Sequence, residues 1–302
     1  SHGFIPIRSF GFPNAVRLAS IAASPEKVKS LHGGNWDIEA REQLRTEVEL
    51  ACSAEISRVV NKDAIYILSN EHCHSRISTL EEVRYLKQFL SNWFEDFDII
   101  VYLRRQDRLA TSAYSSMLRA GSIRSEVLSS DLQGIGYYDY NALLDRFSET
   151  FGTENINVRI YKEAWQSGTN TIEDFMNITG MRYRLKLPDR RNPSIDPTGQ
   201  ELLRRMNGHQ ISRNLSRQDR EKLICAIEKN FCGTGKKPYK YEAQQFLSRF
   251  SEINESVRQK HFPAQQSLFD DDFSEYPEST EINHTESELL QASIKVIRTL
   301  LT

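Results

Sequence analysis

The chain has 302 residues, of which 39% are hydrophobic and 26% charged, with a formal net charge of -2. That length suffices for one large domain, or one domain with appended helices. A near-neutral balance speaks against duplex nucleic acid as a partner, since such surfaces are basic as a whole. No stretch reaches the ~18 consecutive apolar residues of a membrane span.

Four cysteines, Cys52, Cys73, Cys225 and Cys232, form no C-x-x-C pair. Reduced thiols and a cytoplasmic setting are therefore expected. The chain opens on Ser1-His2-Gly3-Phe4, sequence that reads like the middle of a domain. We expect a single domain over 1–302 with an N-terminal truncation.

Residues 37–60 carry Ile38, Leu44, Val48, Ala51, Cys52, Ile56, Val59 and Val60 at near-helical spacing, which predicts a long amphipathic helix. A turn at 61–63 leads into the short apolar run 64–68, bounded by Ser69-Asn70 and predicted as a strand. Ser78 with Glu81 predicts a capping box, opening a helix with Leu80, Val83, Leu86, Leu90 and Trp93 on one face. Then come a strand at 98–103, a helix to about Ala120 ended by Gly121, a helix over 139–151 stopped by Gly152, and a strand at 156–161. Strands separated by helices predict an α/β fold with a parallel sheet of βαβ units. Beyond Glu163 the pattern is helical, over roughly 171–179, 197–207, 216–230, 241–258 and 285–301. The acidic, aromatic stretch 269–277 reads as an exposed loop before the last helix.

The run Tyr102-Leu103-Arg104-Arg105-Gln106-Asp107-Arg108-Leu109-Ala110-Thr111-Ser112 carries the sharpest functional signal. A strand end delivers guanidinium groups, and a serine follows eight residues after the first, on the next helix. Arginine's fixed fork of donors with a neutral hydroxyl beside it suits the oxygens of a phosphate. The same run also fits arginines ion-paired to acidic residues and a serine facing solvent.

This pattern resembles the 3′-phosphate-binding signature of sulfotransferases that use the sulfate donor PAPS. In that family an arginine at a parallel strand's end and a serine eight residues later bind the donor; Arg104 and Ser112 match, with Arg105 the next ligand and Arg108 a solvated helix residue. Tyr66-Ile67-Leu68-Ser69-Asn70-Glu71-His72, Arg191-Asn192-Pro193-Ser194, His261-Phe262-Pro263 and Ser267-Leu268-Phe269 resemble bacterial carbohydrate sulfotransferase-like proteins more loosely.

The resemblance implies a three-layer α/β domain with a parallel sheet of the sulfotransferase, P-loop NTPase-like type and a helical C-terminal half. It implies PAPS as co-substrate, no metal, and a carbohydrate or glycolipid acceptor. Glu71 or His72, just past a strand's C-terminal end where open sheets place their chemistry, would take the acceptor's proton; Glu71 is preferred. Gly235, Lys236 and Lys237, ahead of the 241–258 helix, resemble the late loop that closes over the 3′-phosphate, and they equally fit a surface turn. Tyr137-Tyr138 would form a stacking wall near the acceptor.

Other patterns carry less. Cys232-Gly233-Thr234-Gly235-Lys236-Lys237 lacks Walker spacing and a preceding strand. His72-Cys73-His74 lacks the further ligands that a zinc site needs. The doublets Arg190-Arg191 and Arg204-Arg205 read as solvated faces.

One part of the family pattern is missing. No strand followed by a phosphosulfate-binding loop, roughly Lys/Arg-x-Gly-Thr-Thr-Ser, is legible before Arg8-Ser9-Phe10-Gly11. Such a loop holds the transferred group on backbone N–H donors at a helix N-terminus. Its absence predicts a chain that lacks the central strand of its sheet and is inactive by itself. The alternatives are a degenerate module that binds a nucleotide or protein without chemistry, and a nucleotide-dependent kinase.

Overall fold

The structure is a computed structural model that describes residues 3–12, 14–32, 34–61, 63–128, 135–161, 171–182, 194–209, 214–278 and 284–301. The fold is α/β: its strands pair in parallel, and helices connect them. Two compact units emerge, one made of Ser1–Leu103 with Ile135–Arg182, the other of Arg104–Gly134 with Tyr183–Thr302.

The first unit holds all four strands found among the described residues. Strand β1, Phe4–Pro6, is followed by helices α1 (Val16–Ala22), α2 (Pro25–Val28) and α3 (Ile38–Ile56), and then by β2, Ile65–Ile67. Two strands in parallel need such a crossover, and β1 pairs with β2 in the register Phe4↔Ile65 to Pro6↔Ile67. Helices α4 (His72–Arg76) and α5 (Leu80–Leu90) precede β3, Ile99–Leu103. Strand β3 pairs in parallel with β4, Ile156–Ile160, in the register Ile99↔Ile156 to Leu103↔Ile160.

Strand β1 corrects the sequence reading, which placed no strand before Arg8. Its three residues are too few to display a period of two, so only the pairing with β2 reveals it. The chain then turns through Gly11 (φ 91°) and Ala15 (φ 44°) into α1. Left-handed backbone is uncommon at a residue with a Cβ. Here the Ala15 carbonyl accepts a hydrogen bond from Asn70 Nδ2, which fastens this turn beside the chain that leads into α4.

Helix capping sets the other boundaries. Asp37 accepts the Ala40 N–H at 2.9 Å and starts α3. The capping box of α5 lies one residue later than its sequence pattern implies, on Thr79 and Glu82. Thr79 Oγ1 accepts the Glu82 N–H at 3.3 Å, and Glu82 Oε2 accepts the N–H groups of Thr79 at 3.1 Å and Ser78 at 2.8 Å. Val83, Leu86, Phe89 and Leu90 of α5 enter a core with Phe10, Val48 and Cys52. Helix α5 also packs on a later helix of this unit, Tyr140–Phe151, which follows the short turn Ile135–Tyr138. In chain order that short turn is α7 and Tyr140–Phe151 is α8, because helix α6, Gln106–Arg119, lies in the other unit. The first unit ends with α9, Thr171–Thr179.

The second unit is helical: α6, α10 (Pro197–Gly208), α11 (Arg217–Asn230), α12 (Lys240–Ser248), α13 (Ser251–His261) and α14 (Glu286–Leu301). Its core joins Tyr114 and Leu118 of α6, Leu202 and Leu203 of α10, Leu223 and Ile227 of α11, and Leu289 and Val296 of α14. The helix expected over 241–258 is two helices, broken at Arg249-Phe250, where the Phe250 ring is fully buried. Residues 162–170, 183–193 and 279–283 lie outside the described set, including the motif at 191–193 and the doublet Arg190-Arg191.

Candidate functional site

In the second unit the site is built where β3 hands over to α6. Leu103 ends β3, Arg104 is the next residue, and Arg105 is the N-cap residue of α6. Arg104 is half-buried, while Ser112 is exposed on α6. Arg108 and Ser112 are four residues apart on that helix and so share a face.

Arg105 has a different part from the one its position implies. It is 1% exposed, and Asp107 beside it is fully buried. Nε and Nη2 donate to the two Asp107 carboxylate oxygens, each at 2.9 Å. Nη1 donates to the Asp270 carbonyl oxygen at 3.0 Å, to Asp270 Oδ1 at 2.8 Å and to the Asp272 carbonyl oxygen at 2.8 Å. The guanidinium lies over the Phe273 ring, 4.3 Å from its centroid. Tyr276, itself buried, donates its hydroxyl to Asp107 Oδ2 at 2.6 Å. A buried charge needs such a complete set of partners. Arg105 therefore anchors the 269–277 loop instead of presenting free donors.

That loop is less exposed than its composition implies, because Tyr276 is buried and Phe269 and Phe273 are half-buried. Its outer carboxylates meet further cations. Arg108, expected as a solvated residue, has a side chain only 13% exposed and donates to Glu275 at 2.7 Å and to Asp270 at 2.8 Å. Lys237 donates to the same Glu275 carboxylate at 2.9 Å. Burial works against the Asp270 carboxylate, yet Arg108 and Arg105 hold it below the ordinary carboxylate range.

Gly235, Lys236 and Lys237 lead into α12, as the sequence implies. A side chain at Gly235 would strike Gln200 Nε2 at 2.5 Å, so glycine lets this loop approach α10 closely. The Lys236 N–H donates to Gln200 Oε1 at 2.7 Å, and Lys236 Nζ donates to the Ser125 carbonyl oxygen at 3.2 Å.

The first unit holds the proposed bases. Glu71 precedes α4 with its side chain 74% exposed, and its carboxylate is 3.8 Å from His72 Nε2. Asn70 Oδ1 accepts the His72 N–H at 2.6 Å and fixes the start of the short helix. Two residues on, His74 stacks on Tyr137 with centroids 4.3 Å apart, and its Nε2 lies 2.7 Å from the Tyr137 carbonyl oxygen. Burial holds the His74 imidazole below its ordinary pKa, and Arg146 adds to that. Burial pushes the Tyr137 hydroxyl up, with a contribution from the Glu71 carboxylate. Glu71, His72, His74 and Tyr137 thus form one neighbourhood in this unit, which joins the expected base to the expected tyrosine wall.

The sequence reading overlooked an anion-holding turn after β1. The Glu55 carboxylate accepts the Arg8 N–H at 2.9 Å and the Ser9 N–H at 2.9 Å. A strand, a turn whose amides are taken up by a carboxylate and a helix are all present there, although the residue pattern of a phosphosulfate loop is not. The remaining basic doublet, Arg204-Arg205, is engaged by Glu201. Among the described residues no helix is long and apolar enough to cross a membrane.

No family model, no curated protein and no solved structure matches the chain.

Proposed function

We propose that the chain is a PAPS-dependent sulfotransferase domain of the three-layer, P-loop NTPase-like type, acting on a hydroxyl or amine of a carbohydrate or glycolipid. The observation that carries this reading is Arg104 directly after β3, with exposed Ser112 on the helix that follows. In this reading Arg104 and Ser112 hold the 3′-phosphate, and Glu71, with His72 as the other possible base, accepts the proton of the attacking group. The reaction balances without a metal: the acceptor oxygen or nitrogen bonds to sulfur, the bridging S–O bond of PAPS breaks, and PAP leaves with the electron pair. A cytoplasmic setting accords with four free thiols.

Titration with PAP tests the donor half. Arg104→Ala is expected to weaken PAP binding by about tenfold to a hundredfold, the range for hydrogen bonds to a charged group. Unchanged affinity removes Arg104 from the site.

A second reading, a module that binds without chemistry, is favoured by the carboxylates that occupy anion-binding groups. Glu55 covers the amides of Arg8 and Ser9, while Asp270 and Glu275 cover Arg108. Glu55→Gln with Asp270→Asn separates the two readings. Tighter PAP binding together with sulfate transfer supports the enzyme, and tighter binding without transfer supports the module.

A further inference from the structure

Helix α14 has two apolar faces. Leu289, Ala292 and Val296 are buried in the core of the second unit. Leu290, Ile294, Ile297 and Leu301 face solvent, from 41% exposed at Ile294 to 82% at Leu301. Exposed hydrophobic side chains are ordinary when they are scattered singly. These are not scattered. Among the described residues, five of the fourteen large hydrophobic side chains in solvent lie on this one helix, the fifth being Leu300 beside the stripe.

Spacing and charge say what such a face fits. The steps between the four residues are 4, 3 and 4, the spacing of a coiled-coil seam. At 3.6 residues per turn they fall within about 60° of one another around the helix and run for about 16 Å along it. The series reads the same in either direction. In an antiparallel pair of copies, Leu290 lies level with the partner's Leu301 and Ile294 with the partner's Ile297, so every layer is apolar. Self-matching of this kind is what a two-fold contact between identical surfaces requires. A parallel pair would match its layers too, and charge decides between them. Glu286 and Glu288 lie in the first turn of α14 and Arg298 in the last; Glu286 also meets Arg205 of its own chain. Parallel copies bring acids level with acids and arginine level with arginine. Antiparallel copies set the acidic end beside the basic end and oppose the two helix dipoles.

We infer that the stripe Leu290, Ile294, Ile297 and Leu301 is a docking surface for a second copy of this chain, through antiparallel pairing of α14 with α14. The seam is short, under two heptads, and gives a weak dimer. This inference does not rest on the sulfotransferase reading.

Sedimentation equilibrium of the full chain in reducing buffer tests it. A monomer is expected to pass to a dimer as the concentration rises through about 1–100 μM. Ile294→Glu is expected to weaken the dimer about tenfold or more. It should leave the melting temperature of the dilute chain unchanged, because Ile294 is exposed there. Leu50→Glu, at an exposed leucine of α3, is the control and is expected to leave the dimer intact. Direction is read from cross-links. Leu290→Cys with Leu301→Cys is expected to give a 290–301 disulfide between copies on mild oxidation, and Leu290→Cys alone no 290–290 disulfide. A chain that stays monomeric to about 500 μM overturns the contact. So does a dimer that Ile294→Glu leaves intact, or that Leu50→Glu weakens as much. A 290–290 disulfide from the single variant overturns the antiparallel pairing.

Discussion

Arg105 and Arg104 are adjacent and chemically identical, yet the fold gives them different work. What separates them is Asp107, two positions on, and a loop 165 residues further along the chain. The local spacing fits a phosphate ligand and an ion-paired anchor equally well, so neighbouring residues alone could not have decided between them. The buried Arg105–Asp107–Tyr276 set predicts a sharp contrast between two acids. Asp107→Ala leaves Arg105 buried beside a lost partner and is expected to cost about 3–5 kcal/mol. Asp270→Asn touches a side chain that is 54% exposed. Its cost is expected to stay under about 1 kcal/mol, as for solvent-reached pairs. Urea denaturation of both variants checks this; similar midpoints would mean that the buried pair does not pin the loop.

Among the elements, legibility follows length and period. Most helices of nine residues or more, such as Tyr140–Phe151 and Thr171–Thr179, repeat their apolar face often enough to be located almost to the residue, although the break at Arg249-Phe250 between α12 and α13 escapes the periodicity. The three-residue strand β1 and the five-residue helix α4 do not. The capping box of α5 was recognisable in kind but ambiguous in register, since Ser78 with Glu81 and Thr79 with Glu82 offer the same chemistry. The structure selects the second pair because Glu82 also reaches Lys27 and the Ser24 N–H, contacts from a segment more than fifty residues away. Glu82 therefore joins two helices as well as capping one. Glu82→Gln is expected to cost about 2–3 kcal/mol, from charge-assisted hydrogen bonds lost at a side chain only 10% exposed. Thr79→Ala, which removes the cap alone, is expected to cost about 1 kcal/mol. Thermal melts that rank the two in the opposite order would confine Glu82 to its capping role.

Across the chain, the groups of both units that titrate in acid push stability the same way. Burial holds His32 and His74 below their ordinary 6.5. The unfolded chain thus takes up protons before the folded one, and their contribution, complete above pH 6.5, is lost as the pH falls below it. Glu201, hydrogen-bonded to Arg204, is held down at about 2 against an ordinary 4.5. Its contribution is complete above pH 4.5 and lost between there and about 2. Desolvation opposes ionisation of buried Glu82 and of partly exposed Glu275, but Lys27 for the one and Lys237 with Arg108 for the other hold both below 4.5. Melting temperature is therefore expected to be flat between about pH 7 and 8, to slope down below 6.5 and to drop steeply below 4.5. It is expected to fall again in alkali, where the unfolded chain ionises Cys52 and Cys73 at 9.0 while burial holds them up to about 11 and about 12 in the fold. His74→Asn is expected to reduce the first slope to the share of His32 and leave the second. A profile with its maximum near pH 5 would contradict this assignment. Such couplings were not legible beforehand, because they depend on which charges the fold brings together.

The division of the chain into discontinuous units carries a consequence for synthesis. Strand β3 finishes at Leu103, but its partner β4 begins only at Ile156, and the stretch between them supplies α6 to the other unit. The core around α6 in turn closes on Val296 of α14. On the ribosome, α6 must therefore wait, with Tyr114 and Leu118 uncovered, until its packing partners α10 and α12 emerge. Long-range closure of this kind is slow and exposed to aggregation. Cutting the coding sequence at any boundary between the units would leave one unit without a segment of its own core.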